Sequence, residues 1–330
     1  MVNAANRIHQ RILASVHESE AHGGRKLVFH AMGTTCQITF MPPSVSAGKD
    51  FAATALRWVA EFEARYSRFI PESLISRINA AAGKDWVDVD ETTDRIFSLC
   101  AELIFITGGA FDPTALPLIN LWNWKANPPV IPGDDAICAA RELVGWDKVQ
   151  RRPGAIFLPQ AGMCIDLGGI GKEYAVDCVV ALAQQNAIAN VLVDFGQDIR
   201  GLGQPPQQEA WYVGLEDPGN PGNCWTGVAV RDVAVASSGD YLRNFELNGR
   251  RYGHIIDPRT GYPVSNGCRS VAVIAPTCTL AGVLSTTAFV VGTEEGIKLI
   301  GGYPGAEGCI LTEKSRSETR RFTGYVLLET

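Results

Sequence analysis

His254 is the residue best suited to do chemistry. The five histidines are His9, His17, His22, His30 and His254, so one imidazole alone occupies the last three hundred residues. It is the only side chain there whose ordinary pKa lies near neutrality. It opens HIIDPRTGYP, where two β-branched residues precede an Asp-Pro turn. That context puts it at a strand end, facing a crevice as a general base or satisfied as a structural histidine within a hairpin.

A second feature is IDLGGIGKEY, in which Gly168, Gly169 and Gly171 follow a strand signal and open a helix. Successive glycines let backbone N–H groups approach an anion, and a helix start favours phosphate. Asp166 before the turn and Lys172 after it suit a ribose and a phosphate. Glu173 stands where a P-loop requires Ser or Thr, and the glycine spacing is not that of a dinucleotide fingerprint. A packing turn reads equally well. Further loops are AMGTT (31–35), GGAFDPTALPLINLWNW (108–124) and SSGDYLRNF (237–245). Phe69, Phe111, Trp122 and Tyr241 are aromatics that either stack on a flat ring or fill the core.

Positioning such residues takes a full core, and the composition supplies one. With 330 residues, 46% of them hydrophobic, a chain buries about three-quarters of its unfolded surface without disulfides or a structural metal. Lys and Arg number 29 against 35 Asp and Glu, a net charge of −6, which argues against nucleic acid as a partner. No apolar run reaches the roughly 18–20 residues of a membrane span. The nine cysteines are odd in number, scattered and without a CxxC, so no disulfide framework or zinc site is legible. Residues 1–24 lack an apolar signal core and a cleavage site. They read as a short polar helix in a peripheral extension ending at Gly23-Gly24, and a reduced, cytoplasmic setting is expected.

The pattern predicts strand signals over 25–41 broken at Gly33, a helix over 48–66, a polar stretch (SRFIPESLISRINAA), a strand over 86–90 and a helix over 91–106. A loop over 112–133 and a helix over 134–144 follow. The second half predicts a strand over 155–166, a helix over 172–185, and strands at 190–195, 211–216, 227–230 and 232–237. A hairpin turns at Asn248-Gly249. Then come a strand over 270–275, helices over 279–290 and 294–300, and terminal strands CILT and GYVLLE. The class is α+β, as one unit or two interleaved lobes.

Taken in order, AMGT, SRFIPESLISRIN, AFDPTALPLINLWNW, IDLGGIGKEYAVD, VLVDFGQDIRGLG, VASSGDY, HIIDPRTGYPV and SVAVIAP resemble the FAD:protein FMN transferase (ApbE) family, from about residue 27 to 312. The resemblance implies a T-fold-like α+β domain over 25–330, with antiparallel sheets, flanking helices and FAD in a cleft between two lobes. It implies Mg²⁺-dependent cleavage of the FAD pyrophosphate, release of AMP, and transfer of FMN to a Thr or Ser of an acceptor flavoprotein. By the same resemblance Met32, Phe69, Ala110, Phe111, Asp112, Asp166, Lys172 and Ile256 contact FAD. His254 takes the acceptor hydroxyl's proton, and the Gly169 carbonyl binds the metal.

One departure touches the metal. The family places an Asp at the start of the late helix, whereas this chain reads Ala281-Gly282-Val283-Leu284-Ser285-Thr286. Ser285 and Thr286 remain as oxygen donors, but Mg²⁺ is ordinarily held through one or two carboxylates plus phosphates. Asp257 and Asp112 are the side chains considered for the missing charge, and Gly282→Asp is the change expected to restore it. Gln197, where members have a second Gly, and Glu173 are lesser departures. The alternatives to transfer are FAD binding with weakened chemistry and FAD hydrolysis to FMN and AMP.

Overall fold

The computed structural model describes residues 2–327. Helix α1 (Val2–Ser15) and strand β1 (His17–Ala21) lead into β2 (Gly24–Ala31), β3 (Thr34–Phe40), α2 (Val45–Tyr66) and α3 (Leu74–Ala80). Next come β4 (Val87–Asp88), α4 (Glu91–Ile106), α5 (Leu116–Leu121), α6 (Asp134–Glu142), β5 (Gln150–Arg152) and β6 (Ala155–Phe157). The second half runs α7 (Gly171–Gln185), β7 (Val191–Phe195), β8 (Ile199–Leu202), β9 (Trp211–Glu216), β10 (Cys224–Val230) and β11 (Ala234–Gly239). It closes with β12 (Asn244–Leu247), β13 (Arg250–Gly253), β14 (Cys268–Ala275), α8 (Cys278–Val291), α9 (Thr293–Gly301), β15 (Glu307–Thr312) and β16 (Arg316–Glu318).

The main sheet has nine strands in the order β1-β2-β3-β7-β8-β11-β14-β15-β16, each antiparallel to its neighbour. The expected α+β class is what folds. Helices α7 and α8 pack on this sheet and on each other, with α2 against α7. Helix α8 is apolar nearly all round and is buried accordingly. Its start is fixed by Thr277, whose side chain accepts from the Leu280 N–H. Asp90 caps α4 in the same way through the Thr93 N–H.

Residues 2–24, expected as an extension, are packed onto the body. Ala4, Ile8 and Ile12 recur every fourth residue and are buried, laying α1 along α2. Arg11 forks onto both carboxylate oxygens of Glu63 at 2.7 Å. Strand β1 pairs with β2, so a boundary at residue 24 falls inside a hairpin.

Other differences have local causes. The polar stretch after α2 contains α3, capped by Ser73 and burying Leu74, Ile75 and Ile78. The loop over 112–133 contains the single-turn-and-a-half α5. The strand expected over 155–166 ends at Phe157. Pro159 follows, and its lack of an N–H disfavours ladder continuation. Beyond it the Asn79 amide takes the place of a neighbouring strand: it donates to the Ile165 carbonyl at 2.9 Å and accepts the Ile165 N–H at 2.7 Å. The hairpin turn is as expected, with positive φ at both Asn248 (51°) and Gly249 (72°). The terminal GYVLLE segment forms one bridge, Val228 to Val326, and its end lies outside the described residues.

Candidate active site

The loop into α7 gathers several expected residues. The Asp166 carboxylate lies 3.3 Å from the Arg68 Nε, and its N–H donates to the Pro113 carbonyl at 2.8 Å. Burial raises the Asp166 carboxyl above its ordinary value, against the lowering effect of Arg68. The same guanidinium sits over the Phe69 ring, 4.5 Å from its centroid. Phe69 is 79% exposed, a large aromatic surface free to stack. A Cβ on Gly169 would come within 3.4 Å of the Phe111 ring, so Phe111 lies against the glycine turn. Ala110 and Phe111 are themselves buried.

Asp112 has a structural duty. It accepts from the Thr114 N–H (2.8 Å), the Thr114 hydroxyl (2.7 Å) and the Trp146 N–H (3.2 Å). Asp257 is engaged too, by the Arg259 Nε and Nη2, each at 2.9 Å. Neither carboxylate considered for the missing charge is free to supply it.

Beyond the turn, charged groups cluster between α7 and α8. Lys172 is paired with the buried Asp198. Burial works against the Lys172 ammonium, but Glu173 and Asp198 outweigh it and raise its pKa. Burial lifts Asp198 despite Lys172. Burial, with Asp198 adding to it, lifts Glu173 to about 7. Asp177 of α7 caps the start of α8, accepting from the Cys278 N–H (2.9 Å), the Thr279 N–H (2.9 Å) and the Thr279 hydroxyl (2.7 Å). Arg200 holds that carboxylate at 2.7 Å. The register of α8 against α7 is thereby set.

Within that register Gly282 faces Glu173. A Cβ at 282 would lie 2.5 Å from the Glu173 Cγ and 3.1 Å from its Cδ and Oε1. The expectation that Gly282→Asp restores a site is corrected: the space is already filled. Even Gly282→Ala is expected to destabilise, although Ala is ordinarily the better helix residue by about 1 kcal/mol. Overpacking of this kind costs about 1–3 kcal/mol. A denaturant midpoint raised by the substitution would contradict the contact.

One turn further along α8, Ser285 is fully buried and donates to the Gly282 carbonyl at 2.9 Å. The Ser238 hydroxyl of β11 bridges it to Thr286, at 2.8 and 2.9 Å. Among the described residues no three His, Cys, Asp or Glu side chains gather as a metal site. Any cation held here must therefore draw on hydroxyl and carbonyl oxygens as well. The Glu173 Oε2 is buried with no hydrogen-bond partner among the described residues. An all-oxygen donor set with one orphaned carboxylate oxygen fits a hard cation.

His254 follows β13. Its Nδ1 lies 3.2 Å from the Arg243 carbonyl; a carbonyl only accepts, so Nδ1 carries the proton and Nε2 the lone pair. Burial, then the Arg243 charge, push its pKa down to about 4. The Trp124 ring stands 6.4 Å away. Arg243 also acts on Asp198, which links the histidine electrostatically to the Lys172 cluster. Ile256 bridges to Pro263 and packs with Trp122 and Tyr252. Met32 sits in the β2–β3 turn at φ 50°, its N–H donated to Glu63 at 2.9 Å.

Sequence reasoning assigned no role to Arg68, Asp198, Ser238 or Arg243. Asp198 and Ser238 lie within recognisable blocks, but their partners are distant in the chain. No local pattern marks such pairs.

The sheet order and the site at the start of α7 define an α+β protein with a glycine turn opening onto a charged cluster between two packed helices. Residues 32–310 match the ApbE family, and the chain belongs to it. It is 34% identical over 264 residues to the FAD:protein FMN transferase of Treponema pallidum, covering 74% of this chain and 72% of that protein. The Vibrio cholerae FAD:protein FMN transferase is 32% identical over 270 residues, 81% of each chain. Among solved structures, the ApbE protein of Thermotoga maritima superposes with a TM-score of 0.83 at 29% identity, covering 95% of this chain and all of the other. The flavin transferase ApbE from Vibrio cholerae gives a TM-score of 0.82 at 27% identity, covering 94% and 99%.

Proposed function

We propose that this chain is a flavin transferase that cleaves FAD and transfers FMN to a hydroxyl of an acceptor flavoprotein, releasing AMP. The match to the ApbE family across residues 32–310, with curated relatives named FAD:protein FMN transferase, carries the reading. The site geometry supports roles for individual residues. Phe69 and Phe111 receive the flat rings. Asp166 accepts from a sugar hydroxyl, and the turn at Gly168–Gly171 with Lys172 receives the diphosphate. Ala110 and Ile256 wall the flavin, Asp112 braces the loop between them, and Met32 covers the nucleotide from the β2–β3 turn.

His254 Nε2 accepts the proton of the acceptor's Thr or Ser hydroxyl. The freed oxygen bonds to the FMN phosphorus as the bond to the AMP oxygen breaks, and AMP leaves with that electron pair. Mg²⁺, held by the Gly169 carbonyl and the Ser285 and Thr286 hydroxyls, would neutralise charge on the diphosphate. Positioning and charge neutralisation supply most of such a rate enhancement.

No helix among the described residues is long and apolar enough to cross a membrane, and a cytoplasmic site of action is part of this proposal. Incubation of the purified chain with FAD, Mg²⁺ and a flavoprotein acceptor should yield acid-stable flavin fluorescence on the acceptor and equimolar AMP. FMN and AMP without label would mean that water is the acceptor. Intact FAD without either would mean a binding protein.

A further inference from the structure

Glu173 is unusual in three independent ways. It is 6% exposed although it belongs to a residue type almost never buried without a partner. Its Oε2 finds no hydrogen bond. Its Cγ stands within 2.5 Å of where a Cβ at position 282 would be, so it fills the volume of the side chain that Gly282 lacks.

The cations of this face form their hydrogen-bonded ion pairs elsewhere, Lys172 with Asp198 and Arg200 with Asp177. Lys172 acts on Glu173 only through space and leaves its Oε2 without a hydrogen bond. An ionised carboxylate left buried without a partner is costly. A structural purpose for the ionised Glu173 would require a partner for Oε2, and the described residues provide none. What it does provide is oxygen. Thr286 lies four residues after Gly282, on the same face of α8, and its hydroxyl is held by Ser238 at 2.9 Å. The Gly169 carbonyl belongs to the turn that opens α7, four residues before Glu173.

We infer that Glu173 supplies from α7 the carboxylate that position 282 lacks on α8, and that with the Gly169 carbonyl and the Thr286 hydroxyl it binds a divalent cation. The extra methylene of Glu lets a side chain rooted on α7 reach the volume that an Asp would occupy from α8. The two positions are mutually exclusive: a side chain at 282 collides with Glu173, so one carboxylate occupies the site in either arrangement. This inference rests on the flavin-transfer reading for its diphosphate ligand, but not for its cation.

Mn²⁺ binding to the full-length, FAD-loaded protein, without acceptor, tests it. Free Mn²⁺ is followed by its electron paramagnetic resonance signal, and bound FAD by its fluorescence. Glu173→Gln keeps the shape and removes the charge, and should weaken Mn²⁺ by at least about tenfold while FAD remains bound. Glu173→Gly combined with Gly282→Asp moves the carboxylate to the other helix and should return Mn²⁺ affinity to within about threefold of the native chain. Thermal unfolding confirms that each variant is folded; should Glu173→Gln fail to fold, the double variant alone decides between the outcomes. Native Mn²⁺ affinity in Glu173→Gln, or its loss in the folded double variant, overturns the inference. So does a native chain that binds FAD but no Mn²⁺. A native chain that binds no FAD overturns the functional reading and the inference together.

Discussion

His254→Ala is expected to lower flavin transfer by about 10²–10⁴-fold, the usual contribution of a positioned acid or base, while FAD binding stays within about threefold of native. Two observations separate these effects. The ring is oriented through Nδ1 on the Arg243 carbonyl, which leaves Nε2 as the basic atom. The expected flavin contacts at Phe69, Phe111 and Asp166 lie on other elements, built around Arg68 and the turn before α7. The pH profile is a second readout. With its pKa pushed down to about 4, chiefly by burial, His254 of the free protein is neutral across the physiological range. A neutral ring is the form that accepts a proton, so kcat/KM should hold between pH 7 and 5 and fall only as pH approaches 4. A fall centred near 6.5 would show that the ring is solvated and ordinary. Loss of FAD binding in His254→Ala would make the residue structural.

The second large effect concerns Lys172. Its ammonium is joined to Asp198, whose side chain is 7% exposed against 29% for Lys172. Lys172→Met is expected to cost about 2–3 kcal/mol, below the usual 3–5 for breaking a buried pair because the lysine is partly solvated. What remains is a carboxylate with its partner removed. Adding Asp198→Asn removes that stranded charge and should recover most of the stability, since replacing both members of a buried pair is often near neutral. FAD affinity should not recover, because the double variant still lacks the cation proposed to receive the diphosphate. Unfolding midpoints and FAD titrations on the single and double variants separate the two roles. If the double variant binds FAD like the native chain, Lys172 is a partner for Asp198 and nothing more.

Much of this architecture was legible in the residues. Helix α7, strand β7 and helix α9 fall within a residue or so of where periodicity puts them, because these signals are local: apolar spacing, a Gly turn, a cap. His254 stood out because no other imidazole lies near it in the chain. Asn248-Gly249 announced its turn because two successive positive φ angles suit few other pairs. Short elements in polar company were hidden. Helix α3 shows three buried residues among seven; α1 was legible as a polar helix, but its sparse stripe of Ala4, Ile8 and Ile12 did not show that it packs on the body.

The electrostatics of the site could not be read the same way. Glu173 and Gly282 each look like a defect in sequence, one an acid beside a lysine and the other a missing acid. Folding makes them complementary, because Asp177 pins the start of α8 and brings Gly282 over the first turn of α7. Propensities and caps act over a few residues and are written in order along the chain. Charge pairing and steric exclusion act over a few ångströms of space, and the sheet sets those distances.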